Sequence, residues 1–186
     1  MILDKKIIFF LLLFFHIAFS WTVHSIASSD YLATLHNGQG FWWFAGDSIT
    51  YHHEALIQLE YLKNSDWTGW INSFNNHINV KFISLTYWIS GVSNPISLSI
   101  VNGIIWVFSI ALVFKSSKLI FPKNVYLPFL TVIFFFQPSI LFQSTQLLRD
   151  PYLILGICSF IYGWVILEKN YSKWQWFLYI LLGFIL

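Results

Sequence analysis

No charged side chain occurs in residues 7–23, 96–114, 125–142, 152–167 or 174–186. About 20 consecutive, mostly apolar residues suffice to cross the hydrocarbon core of a bilayer. A chain with so many such stretches has nowhere to bury them in a water-soluble fold. Within lipid, each must coil into a helix, because the backbone finds no other hydrogen-bond partner there. The pattern predicts an all-α, polytopic membrane helical bundle of about five transmembrane helices in a single membrane-embedded domain. The spans fall at residues 7–23, 96–114, 125–142 and 151–167, and residues 174–186 begin a fifth. Residues 24–95 form a long outer loop containing interfacial helices.

Composition narrows the class further. Hydrophobic residues make up 57% of the 186 positions and charged residues 10%, against about 25% charged in an ordinary soluble domain. The net charge of +2 comes with no basic stripe interleaved with aromatics, so nucleic-acid binding is set aside. Cys158, the single cysteine, sits within an apolar run, where a thiol behaves as a small hydrophobe. Neither a disulfide nor a cysteine-rich metal site is available to this sequence.

Lysines set the predicted orientation. Lys5, Lys6, Lys115, Lys118, Lys123, Lys169 and Lys173 are seven of the ten basic residues, and all lie in short connections that the positive-inside rule assigns to the cytoplasm. The opposite face then carries residues 24–95 and 143–150, with Asp30, Asp47, Glu54, Glu60, Asp66 and Asp150. The expected setting is a multi-pass protein of the bacterial plasma membrane, N-terminus inside and first loop outside. The first run also fits a cleaved signal peptide, since Lys5 and Lys6, an apolar core and Ala18-Phe19-Ser20 follow the three-part pattern; an uncleaved anchor is favoured because further spans follow. The final run, WQWFLYILLGFIL, has 13 residues against the roughly 20 a crossing needs, so the sequence reads as the N-terminal part of a longer protein.

Two polar islands interrupt the apolar pattern. GDSITYHHEAL, residues 46–56, opens a helical stretch with Asp47, Tyr51, Glu54 and Gln58 on one side and Ile49, Leu56, Leu59 and Leu62 on the other. That periodicity predicts a helix lying on the outer leaflet, leucines towards the headgroups and the acidic row towards water or substrate. Asp47 is a candidate base or metal ligand and equally a candidate helix cap. His52, His53 and Glu54 lack the HExxH spacing of a zinc site, while Asp47 and Asp150 together offer hard oxygen ligands to a divalent cation. Residues 80–92, VKFISLTYWISGV, are too short to cross and predict a second interfacial or re-entrant helix. Asn94-Pro95 then opens the next span, with proline where its missing N–H costs nothing.

The second island, QSTQLLRDP at residues 143–151, places Arg149 and Asp150 between two apolar runs. An ionisable pair at a membrane mouth is costly and points to function. The guanidinium suits a phosphate and the carboxylate a sugar hydroxyl; the plainer alternative is a helix start, with Asp150 as cap and Arg149 snorkelling. Gln137, Pro138, Ser139, Gln143, Ser144, Thr145 and Gln146 put polar groups in and above the outer half of the third span, as in a wetted cavity. Asn102-Gly103 suits close helix packing, and His16 suits a packed, hydrogen-bonded core histidine.

The order of these parts resembles the GT-C superfamily of membrane glycosyltransferases, which includes protein O-mannosyltransferases and the aminoarabinose transferases of lipid A. The resemblance rests on a first span, an outer loop with Asp47 in GDSITYHHEAL, the aromatic segment KFISLTYWISGVSNP, the span ISLSIVNGIIWVF, a lysine-bearing inner turn and QPSILFQSTQLLRDPYLILGI. It implies transfer of a sugar from a polyprenyl-phosphate donor to an acceptor at the extracytoplasmic face, with inversion. It further implies Asp47 as the base on the acceptor hydroxyl, Arg149 and Asp150 near the donor phosphate, and Tyr51 and Glu54 among the substrate-binding residues. Two alternatives stay open: an O-antigen polymerase-like polysaccharide assembly protein, and a non-catalytic membrane subunit.

Overall fold

A computed structural model describes residues 5–73, 78–169 and 174–185. Lys173, counted above among the inner lysines, and Leu186 lie outside the described residues. The described elements are α1 (Lys5–Ala27), α2 (Gly46–Lys63), α3 (Trp67–Asn72), α4 (Ile78–Ser90), α5 (Ser99–Ile120), α6 (Leu127–Ile133), α7 (Pro138–Gln143), α8 (Asp150–Glu168) and α9 (Gln175–Ile185). Short 3-10 turns precede α2 and α5 and follow α6. The described residues form an all-helical molecule whose only β contact is an isolated bridge between His36 and Trp42.

Among the described residues, three stretches are long and apolar enough to cross a membrane, Lys6–Ala27, Pro95–Ile120 and Asp150–Glu168. They extend the predicted spans at 7–23, 96–114 and 151–167 by a few residues at their ends. The predicted third span, 125–142, is not continuous. Helix α6 ends in a 3-10 turn at Phe134–Phe136, and Gln137 turns extended at ψ 135° before α7 begins at Pro138. The proline ring disfavours the helical region for the residue before it, so the chain breaks there. The last apolar helix, α9, has 11 described residues.

Helices α1, α5 and α8 pack in series, with α6 against α5 and α9 against α8. Small residues set how closely they approach. A methyl group on Gly103 would stand 3.1 Å from His16 Nδ1, and one on Gly183 would stand 2.8 Å from the Gly156 carbonyl. Such close contacts are how apolar helices associate where lipid is as greasy as their own side chains. Phe10, Phe14, Leu153, Ile157 and Trp164 remain exposed on the outward surfaces of α1 and α8, a surface suited to a bilayer.

The connection from α1 to α2 folds onto the C-terminal end of α1. Trp42 Nε1 donates to the Val23 carbonyl at 3.1 Å, and the Gly40 amide donates to the Ala27 carbonyl at 3.0 Å. Gly40 has φ +89° and its Cα lies so close to the His24 ring that any Cβ would collide with it; only glycine meets both conditions. Helix α4 falls on the predicted segment, residues 80–92, beginning and ending two residues earlier. It packs on α2 through Val80, Ile83 and Tyr87, spaced as one helical face. The Pro95 turn opens where the Asn94-Pro95 pair predicts, and Asn94 caps it by accepting from the Ile96 amide at 3.1 Å.

Candidate functional site

The α2 face is arranged differently from the sequence expectation. Tyr51 and Gln58, predicted to face water in the acidic row, are 3% and 4% exposed. Leu59 and Leu62, predicted to dip towards headgroups, are buried as well. The reason is α4, which packs on this side of α2, while the residue after α3 supplies the partner for Gln58. Ser73 Oγ donates to Gln58 Oε1 at 2.6 Å, and His52 Nδ1 lies 3.0 Å from the Tyr87 hydroxyl. The amphipathic pattern identified a helix, but the element that covers it is remote in sequence.

Asp47 and Asp150 are not caps. Helix α2 is capped by Ala45 and α8 by Arg149, neither through a side-chain hydrogen bond. Each aspartate sits in its helix's first turn, where the positive end of the helix dipole favours a carboxylate. Asp47 and Arg149 are exposed and Asp150 is half-buried. Among the described residues the ion pair within 4 Å is Lys63–Glu60, on the far end of α2, so neither aspartate is closed off by the Arg149 guanidinium.

Charges from both islands act on Tyr51. Its phenol is pushed up first by burial and then by Asp47, Asp150 and Glu54, with the Arg149 guanidinium pulling it back. All four charged candidates therefore lie within electrostatic reach of one hydroxyl. Apolar packing supplies the mechanical link, because Leu147 and Leu148 join Tyr51, Ala55, Leu59, Tyr87 and Leu98 in one buried cluster. Those two leucines immediately precede Arg149, and their burial against α2 fixes where the second island can sit. Glu54 adds a carboxylate oxygen, Oε2, that is buried and accepts no hydrogen bond.

The flanking histidines have structural partners. His52 lies against the Phe41 and Tyr87 rings, and burial, with His53 beside it, lowers its pKa below the usual histidine value. Tyr87 is pushed up by burial, so it stays a neutral hydroxyl beside that imidazole. Among the described residues no group of three or more His, Cys, Asp or Glu is arranged to hold a metal ion.

Sequence reasoning singled out the charged members of this cluster and missed the role of Leu147 and Leu148. The signal was present as two large apolar side chains inside an otherwise polar island, which need a hydrophobic partner. Three carboxylates and one guanidinium act electrostatically on a buried, neutral phenol, and the leucines before the guanidinium share that phenol's apolar cluster. No protein-family model, curated protein or solved structure matches this chain.

Proposed function

We propose that the protein is a multi-pass membrane glycosyltransferase that moves a sugar from a polyprenyl-phosphate donor to an acceptor hydroxyl at the extracytoplasmic face. In this reading the five-span arrangement holds, with the N-terminus in the cytoplasm of a bacterial cell and residues 24–95 outside. The observation that carries it is that Leu147 and Leu148, just before Arg149 and Asp150, share one buried cluster with Tyr51 of α2, so that Asp47, Glu54, Arg149 and Asp150, from two segments far apart in the chain, all act on that phenol.

The chemistry follows from those groups. Asp47 takes the proton of the acceptor hydroxyl as its oxygen attacks the anomeric carbon. The bond from that carbon to the phosphate oxygen breaks, and the electron pair leaves on the lipid phosphate. Arg149 neutralises the charge that develops there, through a planar fork that matches phosphate oxygens. Asp150 and Glu54 accept hydrogen bonds from sugar hydroxyls, and the Tyr51 phenol, kept protonated, donates one. A single displacement inverts the anomeric configuration.

Replacing Asp47 with Asn keeps the side chain's volume and removes the base. General-base catalysis contributes about 10²–10⁴-fold, so transfer by the full-length D47N protein is expected to fall by that order with expression and substrate binding unchanged. Undiminished turnover would refute the role. Product length separates this reading from a polysaccharide polymerase, since a transferase adds one sugar and a polymerase joins whole repeat units.

A further inference from the structure

Away from the charged cluster, the outer half of the bundle contains a polar joint that the reading above does not use. Three elements meet there. From α1, His16 is 0% exposed and its Nε2 lies 2.9 Å from Ser144 Oγ in the turn after α7. From that turn, the Gln146 carbonyl accepts from Asn102 Nδ2 of α5 at 3.2 Å. Gly103, next to Asn102, leaves room for the His16 ring, whose Nδ1 would stand 3.1 Å from any added Cβ. Asn102 and Gln146 are each 1% exposed.

Two acceptors in this joint receive nothing from the described residues: Asn102 Oδ1 and Gln146 Oε1, both buried. Their orientations are fixed by their other halves. Asn102 Nδ2 must face the Gln146 carbonyl to donate to it. Gln146 Nε2 faces Thr145 Oγ1 at 3.5 Å, and that hydroxyl already gives its proton to the Phe142 carbonyl at 2.7 Å, so only a donor can stand opposite it. Ser144 Oγ likewise spends its proton on the Leu141 carbonyl at 2.7 Å, which makes it the acceptor for His16 Nε2–H. Rotating either amide to rescue one oxygen would set two acceptors face to face.

A buried acceptor without a donor is costly, more so in a medium of low dielectric constant. The missing chemistry is one small group with two protons to give. We propose that Asn102 Oδ1 and Gln146 Oε1 bind a single structural water, which bridges α5 to the turn between α7 and α8. A neutral ligand is required because no Asp, Glu, Lys or Arg belongs to the joint, so a cation here would be an uncompensated charge in the membrane. Buried waters commonly make about three hydrogen bonds to groups the protein leaves unsatisfied, and two amide oxygens supply most of that number. The water makes the joint a fastening for the turn whose next residues are Leu147, Leu148 and Arg149.

The proposal is independent of sugar transfer and is tested on the full-length protein by density at a resolution that shows ordered water. A peak within hydrogen-bond distance of both amide oxygens is expected. Two results overturn it: direct pairing of the Gln146 amide with Asn102 Oδ1 with no peak between them, or a peak at the shorter distances of a metal ion. A second measurement uses Gln146→Met, which removes the orphan oxygen at similar volume. If the water is bound, the variant strands it and Asn102 Oδ1, and the thermal midpoint falls. A midpoint equal to or above that of the unaltered protein would mean the oxygen was merely an unsatisfied burden, and the water assignment would fail.

Discussion

Leu147→Ala separates the packing that assembles the candidate site from the chemistry within it. Leu147 is 0% exposed and belongs to the cluster that holds Tyr51, Tyr87 and Leu98. Truncating a leucine so enclosed loses the transfer free energy of three carbons and leaves a cavity, together about 2–5 kcal/mol. The surrounding cluster draws on α2, α4 and the turn after α7, elements that cannot collapse inward together without disturbing one another, so the upper half of that range is expected. The matched control is Leu153→Ala on α8, whose side chain is 51% exposed on the outward surface and should cost well under about 1 kcal/mol by the same area argument. Unfolding in detergent, followed through the 10 tryptophans, reads both. Because Leu147 lies two residues before Arg149, the same variant should also weaken donor binding. Equal stability of L147A and L153A would refute the claim that this leucine pins the second island to α2.

Two further outcomes follow from the same geometry. A double-mutant cycle on His16→Leu and Ser144→Ala should give a coupling of about 0.6 kcal/mol, up to roughly 1.7, the span measured for hydrogen bonds between membrane helices; a coupling of zero would mean the 2.9 Å contact contributes nothing. His52 has its pKa lowered by burial first and by His53 second, so the folded protein binds fewer protons there than the unfolded chain. Its contribution is therefore intact above the unfolded value of 6.5 and is lost as pH falls below it. Thermal midpoints taken from pH 7 down to pH 5 should decline, and His52→Gln should flatten that decline; an unchanged slope would contradict the assignment.

What could be read from the sequence divides by how local its cause is. The helix over α4 and the start of the Pro95 turn rest on the length of one apolar run and on the Asn94-Pro95 pair, and both appear as expected. The cause of the break at Gln137 is also local, since Pro138 restricts its neighbour, whereas the apolar run 125–142 by itself predicts one continuous span. The orientation of α2 was not local. Periodicity distinguishes two faces of a helix without saying which is covered, and here the covering helix brings Tyr87, with Ser73 nearby, to the polar side. The charged candidates could be named individually because membrane-mouth charges are rare. Their convergence on one site is an expectation of the sequence, but the packing of Leu147 and Leu148 in one cluster with α2 residues is not legible there, because those leucines meet α2 from far along the chain.

The account stands on the starts of α2 and α8 lying side by side on one face of the membrane. The direct measurement is a spin-label distance between Asp47→Cys and Asp150→Cys in a Cys158→Ser background, with the full-length protein in lipid. One narrow, short distance is the expected result, because Leu147 and Leu148, just before Asp150, share a buried cluster with Tyr51, one helical turn after Asp47. A separation near the bilayer's hydrocarbon thickness, roughly 30 Å, would place the two carboxylates on opposite leaflets and contradict the site.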